Sequence, residues 1–397
     1  MTKKHIVTAA LAALTAAQAS FASEVTFGGF LSNGYIKSSA NNYLVDSEEG
    51  DFDFAEVGIN ANWSPFDRAT VRGQLFAFEV GNYGNFDPKI DYLFFDYNVV
   101  PSFGLRVGRV KRAEGIYTDI QDIDVARTSV LLPIGMYDPR YRDFTASVDG
   151  GSIYGNFQIG NHSFEYTAFH GDIDSNPNSG IAAYALTKIG ASLENATLTK
   201  FEAQTDTGAQ LWWYTPISGL RFGAAHSSLD TFNIVVSAQI PYLGYPIQSE
   251  TLASSKNTTF SSEYFVGDWT FVAEYRETEI KSRNLTTIAG MTEGWGPEAR
   301  SKGYSWYLSA SRRFLEKFEA GATIAEWVEN EETNSLPSEI QNDRQFSLRY
   351  NATDYWTLKA EFHLLEGTNR LFNQLGQNQG PLDSKWNMIA TKSTFSF

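Results

Sequence analysis

Between Ala113 and Ala146 the chain carries six carboxylates, Glu114, Asp119, Asp122, Asp124, Asp138 and Asp143, and three guanidinium groups, Arg127, Arg140 and Arg142. They flank an apolar centre, Val130-Leu131-Leu132-Pro133-Ile134. No histidine lies among them, so the stretch has no side chain poised to exchange a proton near neutral pH. What such a set can do is shape an electric field, because crowded charges in a narrow aqueous passage raise the local concentration of counter-ions. A solvent loop has no use for the apolar centre. A segment combining an anchor with charges fits a protein-lined, water-filled space, where irregular backbone is tolerated even at membrane depth. Residues 113–146 are therefore expected to form a gate, and six carboxylates against three arginines tilt it weakly towards cations.

Little competing chemistry is encoded elsewhere. Of the five histidines, His5 belongs to the N-terminal leader, His162 lies in a turn, and His170 and His226 share the phase of apolar neighbours. Only His363 falls on a polar phase, with Lys359 and Glu361, and no nucleophile is placed beside a base as hydrolysis would require. No enzymatic activity is expected. The absence of cysteine removes disulfides, thiol catalysis and zinc thiolate sites. Asp172, Asp174, Asn176 and Asn178 alternate as in a calcium loop, but Pro177 stands where the sharp turn needs glycine and Ala183 where a bidentate glutamate belongs. Neither a metal nor another cofactor is expected. Without Lys3 and Lys4 of the leader the basic count falls from 31 to 29 against 46 acidic residues, a balance of −17 that excludes a nucleic-acid partner held by phosphate contacts.

Positioning the charged stretch requires a wall, and its flanks alternate with the strand period of two. The clearest case sets Ala55, Val57, Ile59, Ala61 and Trp63 against Glu56, Gly58, Asn60 and Asn62. On other strands the phase opposite the apolar one carries Arg72, Arg106, Arg349, Lys359 and Lys392. Tight turns such as Ser64-Pro65-Phe66-Asp67 and Gly160-Asn161-His162 alternate with long polar loops. Two of those loops are expected to be very long: 172–207, with a short surface helix from Ile181 to Glu194, and the run from His226 to Lys256. No later stretch has the ~18 consecutive apolar residues of a transmembrane helix, yet aromatics make up 15% of the chain. Polarity without a spanning helix, together with many aromatics, indicates an all-β fold: a transmembrane antiparallel β-barrel of about 16 strands, with short periplasmic turns and long external loops. A soluble sandwich would not sort short and long connections to opposite ends. Lys3 and Lys4, the apolar run Ile6 to Ala17 and the small residues Ala17, Ala19, Ser20 and Ala22 give residues 1–22 the layout of a cleaved secretory signal, with Ala19 as second choice of cleavage site. Residues 23–397 would then form one barrel. Its closure places strands fourteen to sixteen beside one to three, so Arg72, Arg349, Lys359 and Lys392 should form a basic wall facing the acidic gate.

The last strand, Trp386 to Phe397, carries aromatics in phase and ends on phenylalanine, and it resembles the terminal strand of Gram-negative outer-membrane barrels. The whole layout is similar to that of the sixteen-stranded Gram-negative porins. That resemblance implies residence in the cell outer membrane, Phe395 and Phe397 as a C-terminal signal for the barrel-assembly machinery, and contact with outer-membrane lipid and lipopolysaccharide. It also implies a homotrimer, and a third external loop folded into the lumen at the place of 113–146. The expected function is passive diffusion of small hydrophilic solutes and ions through a water-filled channel. A substrate-specific channel for a sugar, phosphate or other anion, or a closed structural or adhesive barrel, would share these features.

Overall fold

The computed structural model describes residues 25–190, 193–372, 378 and 380–397; the expected signal, 1–22, lies outside them. The alternating segments form one sheet closed on itself. Its strands are β1 (Val25–Ser38), β2 (Asp51–Phe66), β3 (Ala69–Val80), β4 (Lys89–Val100), β5 (Phe103–Lys111), β6 (Ser147–Ile159) and β7 (His162–Asp172). Next comes β8, in two pieces (Glu194–Ala203 and Thr205–Tyr214), then β9 (Leu220–Gln239), β10 (Pro246–Val266), β11 (Trp269–Ile288) and β12 (Ala299–Phe314). The wall ends with β13 (Phe318–Val328), β14 (Ile340–Asn351), β15 (Trp356–Gly367) and β16 (Lys385–Ser396). With the two pieces of β8 taken as one and the two-residue strand Met291–Thr292 set aside as an ornament of β11, the described residues give sixteen wall strands. Each pairs antiparallel with its sequence neighbours, and β1 pairs with β16, Leu31 opposite Phe395, which leaves no free edge. Phe397 extends that seam: its N–H donates to Gly29 O at 3.0 Å, and Gly29 N–H donates to its carbonyl at 3.1 Å.

Burial along the strands is inverted relative to a water-soluble protein. On β15 the outward Phe362 and Leu364 are exposed, whereas the inward Lys359, Glu361 and His363 are buried. On β11 Trp269, Phe271 and Tyr275 are exposed and Glu274 is buried. A period of two with apolar side chains outside suits a lipid-facing wall. His170 and His226 also face outward, each bonded to a threonine of the next strand, Thr207 and Thr258. No described helix is long and apolar enough to cross a membrane.

Two stretches depart from the expected loops. Residues 226–256 do not form one: β9 runs on to Gln239 and β10 begins at Pro246, so a tall hairpin replaces it, and Glu194–Ala203 is likewise paired with β9. On β10 the stretch 251–259 carries mostly small polar residues, which erases the apolar alternation that signals a strand, whereas Ile234 and Val236 of β9 are buried against the inner cluster. The helix in this region, α1 (Gly180–Gly190), is not on the surface. Ala182, Ala183 and Ala185 are buried, because α1 leans inward and packs on Val110, Phe144, Phe201 and Val236.

Candidate functional site

Residues 112–146 leave β5, cross the lumen, and return to β6. The loop is fastened in three sockets. The first lies on β14 to β16. Lys359 stands opposite Lys392 across the ladder, and Arg349 opposite Lys359. Three like charges so close require anions: the Asp124 carboxylate lies 3.0 Å from Lys392 Nζ, 3.6 Å from Lys359 Nζ and 3.0 Å from Arg127 Nη2 and accepts from Thr394 Oγ1, while Glu56 also pairs with Lys392 and Glu319 with Arg349. Lys359 also donates to the carbonyls of Asp124 and Ser129, and Arg349 to that of Val125. Burial alone would raise the Asp124 carboxyl, but Lys392, Lys359, Arg127 and the Thr394 hydroxyl together hold it well below the ordinary value of 3.8.

The second socket is Glu361 on β15. It accepts from the backbone N–H groups of Val130 (2.7 Å) and Leu131 (2.9 Å), from Gln345 Nε2 (2.6 Å) and from His363 Nε2 (2.9 Å). The apolar centre of the loop is thus held by its backbone. His363 is bound at its other nitrogen by Asp343 at 2.8 Å, so neither ring nitrogen is left to take a proton from a nucleophile. The third socket, Glu274 on β11, accepts from Ile116 N–H (2.9 Å), Ser261 Oγ (2.6 Å), Tyr307 Oη (2.8 Å) and the Tyr137 hydroxyl. Beside it Arg276 donates to the carbonyls of Glu114 and Met136.

The remaining loop charges, Asp119 excepted, are also paired. Asp122 accepts from Gln74 at 2.6 Å and lies 3.5 Å from Lys111 and 3.6 Å from Arg142, which itself reaches Asp91 at 2.8 Å. Against the rise that burial brings, Arg142, Lys111 and Gln74 hold the Asp122 carboxyl well below its ordinary value. Glu114 meets Arg112, which also binds Asp206 at 2.6 Å; Asp138 meets Arg140 at 2.7 Å; Asp143 meets Lys89. The expected picture of carboxylates facing cations across open water is therefore replaced, at Asp124 and the wall lysines, by direct contact. Charges taken out of water are tolerable only when paired. Asp119 stands apart. Its side chain is exposed, its carboxylate has no ion-pair partner among the described residues, and with Ile123, Val125 and Ala126 it forms the loop face turned to an aqueous vestibule. On the vestibule wall Arg72 and Arg313 are exposed, Arg106 pairs with Asp96 at 3.1 Å and stacks on Tyr154, and Arg349 lies 3.5 Å from Glu319.

One consequence concerns selectivity. Asp119→Asn is expected to move the zero-current potential in a salt gradient modestly towards anions, more at low salt than at high, since screening lengths shorten with salt. Asp122 and Asp124, being internally neutralised, should contribute little through their charge. Enclosure by the wall raises the Asp119 carboxyl, against the pull of Lys111 and Arg106. Its share of cation attraction should accordingly fade on acidification from above the ordinary carboxylate value of 3.8. An identical potential in wild type and Asp119→Asn at low salt would remove Asp119 from the ion path.

Above the loop, on the side of the long connections, the lumen is packed rather than wet. Tyr43, Leu44 and Val45 from 39–50, Tyr83 from 81–88, Val130, Leu131 and Ile134 of the inward loop, Ala183 of α1, and Leu371 and Phe372 of 368–384 form one buried apolar cluster with Trp386 and Met388 of the wall. Gly180 and Gly135 permit close approaches of the inward loop to its neighbours. A Cβ at Gly180 would meet Arg140 Cβ at 2.4 Å, and one at Gly135 would meet Ser305 Oγ at 2.4 Å. The parts missed by sequence reasoning are the receiving groups Glu274, Glu361, Gln345 and Asp91. They read only as polar residues on inward phases, because their partners lie far away in the chain. The calcium-like run does not converge: Asp172 accepts from Thr205, Asp174 pairs with Arg109, and Asn176 donates to Asp143.

The chain is similar in structure to known outer-membrane proteins. OmpT of Vibrio cholerae matches with a TM-score of 0.56 at 12% identity, over 94% of this chain and 97% of that one. Its in-vitro folded trimer form gives 0.53 at 13% identity, over 94% and 99%. An anion-selective porin from Comamonas acidovorans gives 0.53 at 10% identity, over 94% and 99%. No protein-family model and no curated protein matches the sequence. At such identities the likeness establishes the fold, that of outer-membrane β-barrels.

Proposed function

We propose that the protein is an outer-membrane channel for passive diffusion of small hydrophilic solutes and ions. The observation that carries the reading is the inward loop: a charged segment fixed by three wall sockets inside a closed barrel, with a polar vestibule of Arg72, Arg106, Arg313 and Asp119 beneath it. A barrel that only anchored or adhered would need no polar vestibule. The packed outer mouth favours a second, narrower form of the same reading, in which the channel admits a restricted class of solute and opens when the mouth segments move aside. The trimer form of the Vibrio cholerae protein supports a homotrimer here as well. The β1–β16 seam, with Phe397 bonded to Gly29, is consistent with Phe395 and Phe397 serving assembly.

Planar-bilayer recording tests the function. Purified protein should produce stepwise conductance increments, and sugars, phosphate and organic cations added to the outer side should reveal by blockade or activation whether the mouth discriminates. Silence from protein that has verifiably inserted would favour the closed structural barrel.

A further inference from the structure

Arg370 is almost completely buried, 3% exposed, in the packed mouth. Among the described residues it lies within ion-pairing distance of no carboxylate. The other buried arginines of this region differ: Arg112, Arg127, Arg140 and Arg142 each have one. Asp138, whose charge reaches Arg370, is already bound at both oxygens by Arg140. What surrounds the Arg370 guanidinium is aromatic. Its carbon lies 4.0 Å from the Trp327 ring centre, 5.3 Å from Tyr141 and 6.0 Å from Tyr184. It donates to the Tyr141 hydroxyl at 2.9 Å and to the Gly135 carbonyl at 3.5 Å, while its Nε has no partner.

A buried guanidinium without a counter-ion is costly, and an apolar residue would fill a plug without that cost. Aromatic faces offset it in part, and a cage of such faces is how proteins take up cationic ligands reversibly. The three rings come from elements other than the segment that fills the cage, Trp327 from β13, Tyr141 from the inward loop and Tyr184 from α1; Tyr141 and Tyr184 pack on one another and also on Phe372 of that segment. Trp327 Nε1 and the oxygen of Gln341, its cross-strand neighbour, are buried without hydrogen-bond partners, leaving one donor and one acceptor beside the cage. We propose that Trp327, Tyr141 and Tyr184 form a recognition site for organic cations of the guanidinium or ammonium class, occupied in this conformation by Arg370 of the chain's own last outer loop.

Two consequences follow from the tether. Arg370 competes with any free cation, so the wild-type site binds weakly. A cation that wins expels 368–372 from the mouth, which couples the opening of the channel to the charge of the arriving solute. That coupling rests on the channel reading; the cage does not.

Arg370→Ala protein, shown by heat-modifiable gel migration to be folded, is titrated calorimetrically with guanidinium chloride in detergent, with sodium chloride as blank. Guanidinium should bind on the order of millimolar, at least about tenfold more weakly to Arg370→Ala/Trp327→Leu and detectably more weakly to wild type. Binding to Arg370→Ala no tighter than to the double variant overturns the proposal. If Arg370→Ala does not fold, Arg370→Gln retains part of the stem and removes the charge, and the same comparison is made with it. A bilayer arm separates the two readings: uptake of guanidinium by a variant that stays silent in bilayers sinks the channel and leaves the cage standing.

Discussion

Asp124→Asn is expected to free the inward loop from the wall of β14 to β16 and to raise the conductance several-fold. The change keeps the side chain's size and removes the one charge on which Lys392, Lys359 and Arg127 converge. Lys359 and Lys392, opposite one another on the ladder and 4% and 3% exposed, would then face each other with Glu56 as the only anion left on Lys392 among the described residues. Removing one partner of a buried ion set costs about 3–5 kcal/mol, because the orphaned charges remain desolvated. That is enough to loosen the stretch from Asp124 to Ser129, while the hydrogen bonds to Glu361 and Glu274, the ion pairs of Asp122, Arg142 and Asp143 and the apolar cluster around Val130 to Ile134 continue to hold the rest of the loop. The freed segment should become a trypsin substrate at Arg127, which is buried in the docked loop. A control separates charge from packing. Asp124→Asn combined with Lys359→Met and Lys392→Met leaves no orphaned cation and should recover much of the lost docking, since buried ion sets can often be replaced by apolar groups at little cost. If Asp124→Asn remains protease-resistant with unaltered conductance, the ion cluster does not hold the loop.

The same carboxylate gives a pH dependence of defined sign. Its pKa is depressed in the folded state by Lys392, Lys359 and Arg127, which outweigh its burial. Asp124 therefore contributes docking energy that is fully present above the ordinary value of 3.8 and is lost progressively as the pH falls below it. Conductance should be insensitive to this group through the neutral and mildly acidic range, and any opening due to it should begin only in strong acid.

How far the sequence reveals this arrangement depends on whether a residue's role is set by its neighbours in the chain or by distant ones. The wall was legible, because a residue such as Ile59 or Glu361 declares its face through the period of two. The inward loop was legible as an anomaly, an apolar centre among charges at Val130 to Ile134. The tall β9–β10 hairpin was not, since Thr251 to Thr259 carries mostly small polar residues in both phases and offers no apolar alternation. Helix α1 could be read as a helix from its alanines, but its burial against Phe144 and Phe201 depends on the inward loop and β8 being in place. Least legible were Glu274 and Glu361. Each looks like one more polar residue on an inward phase, and only the docked loop, 158 and 231 residues away, turns it into a socket.

Glu361→Ala should produce the second large effect, and its character should differ from that of Asp124→Asn. The carboxylate ties two successive backbone N–H groups, Val130 and Leu131, to the wall, and also receives Gln345 and His363. Its removal leaves four buried donors short of an acceptor, at about 1–3 kcal/mol for each that finds no substitute. Gln345 retains the Leu131 carbonyl and His363 retains Asp343, so the loss falls mainly on the loop backbone. The apolar centre would lose its register while Asp124 still anchors the segment on one side and Glu274 on the other. The loop should bow rather than detach. Conductance should then rise with broadened, noisy open levels instead of one larger step, and Arg127 should stay resistant to trypsin. Because the ladders of β14 to β16 do not depend on this side chain, the barrel should keep its heat-modifiable migration. A single clean conductance level matching wild type in Glu361→Ala would show that Val130 and Leu131 are held by the apolar cluster alone, and that the carboxylate is a passive bystander.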